Sequence, residues 1–168
     1  MKKVLSVLLA VLVGCSAPIE PVETKDMVAE GYEIKEESRF VETTMLEAVD
    51  ILENGTGVIY YGYPDCPWCE KAVPELNTTA TQEDVYIYYV NVKLPFEPEE
   101  YNKTRELTGK FQEDTDKYYV PFVVAAKDGE VVDGHLLLVD GYSPSKEMTK
   151  EQKQELRDIY KDLINKTK

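Results

Sequence analysis

Short runs of β-forming residues alternate with segments of helical period from residue 40 to residue 165, except that two strands follow each other with no helix between them before the last helix. Phe40-Val41 reads as a short strand. Thr43 or Thr44 can cap a helix running to about Glu53, with Leu46, Val49 and Leu52 as its apolar face, and Asn54-Gly55 ends it. Val58-Ile59-Tyr60-Tyr61, bounded by glycines, reads as a buried strand. A second helix is predicted over residues 67–80, and VYIYYVNV (Val85 to Val92) forms a further β run. Residues 98–113 favour one or two helices before an acidic loop. Phe122 to Ala126 is a strand, Lys127-Asp128-Gly129 a turn, and Val131 to Val139 a last strand interrupted at Asp133-Gly134. Lys150 to Asn165 is a helix with Leu156, Ile159, Tyr160 and Leu163 on one face. The order β-α-β-α-β-α-β-β-α predicts an α/β chain, a mixed central sheet flanked by helices on both faces.

The N-terminus stands outside this pattern. MKK is a basic start, and VLSVLLAVLV is an apolar run too short to span a bilayer but suited to a secretory signal. It ends in Leu12-Val13-Gly14-Cys15, which resembles the lipobox of bacterial lipoproteins. The resemblance implies that residues 1–14 are a lipoprotein signal peptide and that Cys15 carries lipid. The protein is then expected on the outer face of the cytoplasmic membrane, or on another envelope membrane, where disulfides persist. Residues 15–38 read as the lipidated Cys15 plus an acidic tether with two prolines and no sustained period. The globular domain is expected over residues 39–168, long enough to bury a core without disulfide staples. The 32 acidic residues outnumber the 19 basic ones, for a formal net charge of −13. That balance disfavours nucleic acid as a partner, because phosphates reward clustered Lys and Arg.

The chemistry concentrates in YGYPDCPWCEKAVPEL, residues 61–76. Cys66 and Cys69 follow directly on a strand and open a helix. Pro67 suits the first helical turn, where its missing N–H costs nothing. Cys66 then lies at the helix N-terminus, where unpaired N–H groups favour a thiolate, and Cys69 lies one turn in, on the same side and more buried. Asp65 and Glu70 oppose the thiolate by roughly 1 kcal/mol at most in water-like dielectric, against a helix-terminus effect on the order of 0.3–2 kcal/mol. In such a pair one sulfur attacks a disulfide and the other resolves the adduct. Three alternatives stand beside a redox pair. A structural zinc site needs about four ligands, and with Cys15 lipidated only His135 and carboxylates could complete it. A structural disulfide would close too short a loop to stabilise much. Two inert core thiols are the third. No metal site, cofactor or nucleotide loop is expected. His135, the only histidine, reads as a surface or edge-strand residue.

These residues resemble the thioredoxin superfamily. The likeness rests on strand, C-x-x-C, helix; on Pro74 five residues after Cys69; on Tyr119-Val120-Pro121-Phe122 before a strand; and on the Lys127-Asp128-Gly129 turn, all within residues 39–165. Trp68, between the cysteines, reads as exposed and hence as a substrate contact, and Tyr63 as a candidate groove residue. The resemblance implies a thioredoxin fold, a cis Val120–Pro121 bond, and a substrate groove formed by Val120, Pro121 and Gly141. It implies Cys66 as nucleophile and Cys69 as resolving thiol of a redox-active disulfide. Departures from thioredoxins are marked. Tyr60 stands where the family's buried Asp lies, six residues before the first Cys, and Tyr89 aligns with its facing Lys. The dipeptide is Pro-Trp, and Asp65 replaces the usual Trp. The tract GVIYYGYPDCPWCEKAVPEL is most similar to the bacteriocin transport accessory group. The expected function is an extracytoplasmic, membrane-anchored thiol–disulfide oxidoreductase, with protein or peptide thiols and disulfides as substrates and a separate redox partner. The alternative is an accessory or peptide-binding protein in which the pair is not catalytic.

Overall fold

The computed structural model describes residues 22–112 and 117–168. The signal peptide and Cys15 lie outside the described residues. Five strands are described: β1 (Phe40–Glu42), β2 (Gly57–Gly62), β3 (Ile87–Asn91), β4 (Phe122–Lys127) and β5 (Glu130–Leu136). They are interleaved with α1 (Met45–Asn54), α2 (Pro67–Gln82), α3 (Pro98–Thr108) and α4 (Lys150–Lys166), with a 3-10 turn at Gly109–Phe111. The sheet order is β1-β3-β2-β4-β5. β1 and β2 both run parallel to β3, whereas β4 is antiparallel to β2 and β5 to β4. The chain is thus α/β with a mixed five-stranded sheet.

Period-two alternation in β2 sorts the core into two halves. Val58 and Tyr60 face α2 and α4, with Ala72, Val73, Leu76, Leu156 and Tyr160. Ile59 and Tyr61 face the opposite side, with Met45, Ala48 and Leu52 of α1 and with Phe122 and Val124. Both faces of the sheet are therefore covered, as a largely buried central strand requires. Among the described residues, no helix is long and apolar enough to cross a membrane.

Several expectations shift. Thr44 caps α1 through a full capping box, accepting from the Glu47 backbone while Glu47 Oε2 accepts from the Thr44 N–H at 2.8 Å. The buried face of α1 is Met45, Ala48, Val49 and Leu52, and Leu46 is 60% exposed. With Leu52 in the core, steps of three, four and seven residues select Val49, Ala48 and Met45. Leu46, six residues back, is turned about 120° away. The expected break at Asp133-Gly134 is instead a bulge one residue earlier. Ala125 pairs with Asp133 and Ala126 with Val131, so Val132 is the extra residue and the strand continues to Leu136.

The largest difference lies before residue 39. Met27 and Tyr32 are buried in the core. Asp26 accepts from the backbone N–H groups of Val28 and Ala29, shaping a turn that presents both side chains inward. The Lys25 N–H donates to the Phe40 carbonyl at 2.7 Å, and Asn77 Oδ1 accepts from the Arg39 N–H at 2.9 Å. The packed body therefore starts near Lys25, ahead of the expected boundary at residue 39.

Candidate functional site

β2 delivers the chain to the site, and Tyr63 to Asp65 turn it into α2. Cys66 is the N-cap of α2, with Pro67 at the first position inside. Its sulfur accepts from the Cys69 N–H at 3.3 Å, satisfying one of the donors that a helix start leaves open. Both cysteines are free thiols.

Cys66 is more covered than the sequence suggests. It is 4% exposed and Cys69 is 0% exposed. The cover comes from the segment before β4: the Val120 carbonyl lies 3.9 Å from Cys66 Sγ, and the Val120–Pro121 bond is cis. Pro121 is buried and Val120 half-buried. Tyr63, half-buried, brings its phenol toward the Cys66 thiol, and the Lys93 ammonium lies 4.7 Å from the centre of the Tyr63 ring. Trp68, half-buried rather than exposed, packs edge-on against Tyr142, with ring centres 6.0 Å apart. Gly141 precedes Tyr142 at an exposed turn, with a φ of +71°. Cys66, Cys69, Tyr63, Trp68, Val120 and Pro121 thus gather at one end of the sheet, with Gly141 joined to them through Tyr142.

The two thiols are driven apart electrostatically. The Cys69 thiol donates to the Cys66 sulfur, and the backbone N–H groups of Cys69 and Trp68 add to that pull. Together they outweigh burial and the Glu70 carboxylate and bring Cys66 down to about 7. The same hydrogen bond, with burial, pushes Cys69 far above the ordinary thiol range. Near neutral pH the arrangement favours charge on the sulfur at the mouth and keeps the thiol behind it neutral, the division an attacking and a resolving sulfur need.

Beneath Cys69 lies a cluster that spacing alone did not single out as functional. Tyr60, Tyr32, Tyr89 and Tyr160 are each at most 2% exposed and share the core with Cys69. Tyr60 stacks on Tyr89 with ring centres 5.6 Å apart. The signal that could have found the cluster was the tyrosine content of β2 and β3, but Tyr32 and Tyr160 arrive from remote segments. His135 sits on edge strand β5, where burial lowers its pKa. Its Nε2 lies 3.1 Å from the Leu138 carbonyl, which can only accept, so Nε2 carries the proton. No group of three or more His, Cys, Asp or Glu that could hold a metal ion occurs among the described residues. No family model and no curated protein matches the chain.

Proposed function

We propose that the protein is a thioredoxin-fold thiol–disulfide oxidoreductase, anchored outside the cytoplasmic membrane by lipid on Cys15. The observation that carries the reading is the placement of the Cys66 sulfur. It caps α2, has its pKa lowered to about 7, and faces the Val120 carbonyl ahead of cis Pro121. The strand order β1-β3-β2-β4-β5, parallel for three strands and antiparallel for two, supports the fold assignment.

Cys66 attacks a substrate disulfide, forming a mixed disulfide and releasing one substrate thiolate. Cys69 then attacks the Cys66 sulfur, closing the Cys66–Cys69 disulfide and releasing the second thiolate. An extended substrate chain pairs with the backbone at Val120, while Trp68 and Gly141 flank it. Protein or peptide disulfides are the substrates, and a separate redox partner resets the pair. The resemblance to the bacteriocin transport accessory group points to secreted peptides among them.

Trapping tests the reading. Cys69→Ala should accumulate mixed disulfides through Cys66 in the native envelope, and Cys66→Ala should not. Equilibration in glutathione buffers then gives the potential, and with it the direction of exchange. The 4% exposure of Cys66 favours a second reading, a peptide-binding accessory protein whose pair is not catalytic. Full biological function in a double Cys→Ala variant would select that reading.

A further inference from the structure

The resolving step poses a problem of proton traffic. Cys69 is neutral, 0% exposed, and must lose its proton before its sulfur can bond to Cys66. The groups facing it are hydroxyls. Tyr60 comes from β2, Tyr89 from β3, Tyr160 from α4 and Tyr32 from the N-terminal turn, and none of the four buried hydroxyls has a formed hydrogen bond. Orphaned buried hydroxyls are rare and call for an explanation.

Their arrangement supplies one. Tyr60 lies along the strand with its hydroxyl directly over Gly62, where an added Cβ would sit 2.1 Å from it. A side chain at residue 62 would push the phenol aside. Tyr60 stacks on Tyr89 with ring centres 5.6 Å apart, Tyr32 and Cys69 lie in the same buried cluster, and charge on Cys69 acts on all three phenols. The outer end of the line is marked by the Lys25–Glu30 pair, 3.0 Å apart and partly exposed, whose charges act on Tyr89.

The other candidate bases are engaged. The Glu75 carboxylate, the nearly buried acid of α2, is held by Arg157 at 2.6 Å and Lys153 at 3.5 Å. His135 meets the cluster only through the Tyr160 ring, with centres 6.1 Å apart. Cys66 itself, the resting acceptor of the Cys69 proton, is lost as an anion once it forms a mixed disulfide.

We propose that Tyr60, Tyr32 and Tyr89 form a hydroxyl line that carries the Cys69 proton out of the core during resolution and then donates a hydrogen bond to the Cys69 thiolate. The inference rests on the reading of Cys66 and Cys69 as an exchange pair. Tyr60 takes the thiol proton as it hands its own to Tyr32. Tyr32 passes its own to Tyr89, and water at the Lys25–Glu30 end receives the last. Each phenol ends neutral. The Cys69 sulfur bonds to the Cys66 sulfur, the bond to the incoming sulfur breaks, and that sulfur leaves as a thiolate. The protein pair is oxidised by two electrons and the attacked disulfide is reduced by two. N-terminal residues are part of the site in this account, because Tyr32 is the middle member.

The test uses the full chain with Cys15→Ser, reduced, and the aromatic disulfide dithiobis(nitrobenzoate) as the oxidant. Attack by Cys66 releases one coloured thiolate and resolution by Cys69 releases a second, so the two steps appear as two phases. In Tyr60→Phe the first phase should keep its rate. The second should slow about tenfold, the scale of one hydrogen bond to a charged group, and its rise should move to higher pH. Tyr32→Phe should slow the same phase. Thermal midpoints should stay level or rise in Tyr60→Phe, since the change deletes an orphaned hydroxyl. Wild-type rate and pH profile of the second phase in both variants would overturn the relay and leave the exchange reading standing. Equal slowing of both phases with a lowered midpoint would also overturn it, in favour of packing alone. Absence of two-phase release in the parent chain would overturn the exchange reading, and the relay with it.

Discussion

At the scale of single residues, the decisive quantity is the charge on Cys66. Its folded pKa is about 7, below the ordinary thiol value, so the thiolate fraction climbs as pH rises through 7. Iodoacetamide labelling of Cys66 is expected to reach half its limiting rate near there, against roughly 8.5 for an unperturbed thiol, while Cys69 stays unlabelled across that range. Peptide mass spectrometry of pH-jump samples checks both. Glu70→Gln removes the carboxylate that opposes the thiolate, and the labelling midpoint should fall by a few tenths of a unit, in keeping with a charge at the helix start. The identity of the pair and the capping role of Cys66 were legible in Cys-Pro-Trp-Cys, because both follow from local helix geometry. The covering of Cys66 was not. It comes from the Val120 carbonyl, fifty-four residues along the chain, and a local pattern holds no information about a contact of that range.

Elements were legible where the chain's own periodicity settles them. Both strands of the central parallel pair, a threonine cap at residue 43 or 44, and α4 follow from composition and spacing; the structure selects Thr44. The side of α1 that faces inward depended on whether Met45 or Leu46 begins the stripe, and the first turn alone leaves that open; packing against β2 and β4 selects Met45. The bulge at Val132 has no sequence mark, since an extra residue changes register and not composition. Gly129 shows how elements constrain one another. It has a φ of +77°, its N–H donates to the Gly55 carbonyl at 2.8 Å, and an added Cβ would lie 2.3 Å from the Glu53 carbonyl oxygen. Gly129→Ala is therefore expected to lower stability by at least about 1–2 kcal/mol from the left-handed backbone alone, with the clash against the end of α1 adding to it. Thr44→Ala should cost about 1 kcal/mol through the lost cap. Urea unfolding of the two variants measures both.

For the molecule as a whole, the boundary of the folded unit matters most. Low hydrophobicity and lack of period made residues 16–37 look like spacer, yet Met27 and Tyr32, five residues apart on a turn, fill the core beneath α2. Two isolated anchors in an acidic segment carry no periodic signal, so only the assembled core reveals them. Met27→Ala should destabilise the domain by about 2–5 kcal/mol, the range for emptying a buried methionine site, with a matching fall in the urea midpoint. Removal of residues 1–38 should cost more still, since it also withdraws Tyr32. Docking of this segment also sets a length. A chain free from Ser16 to Ser38 could stretch on the order of 80 Å, but one fixed from Lys25 onward has only Ser16 to Thr24 to pay out, about 30 Å at full extension. If Cys15 carries lipid, as the proposed function requires, a leash of that length would keep Cys66 close to the membrane surface. Disulfides presented by other membrane-bound proteins, or by chains emerging through the membrane, would fall within its radius, and those held farther out in the envelope would not.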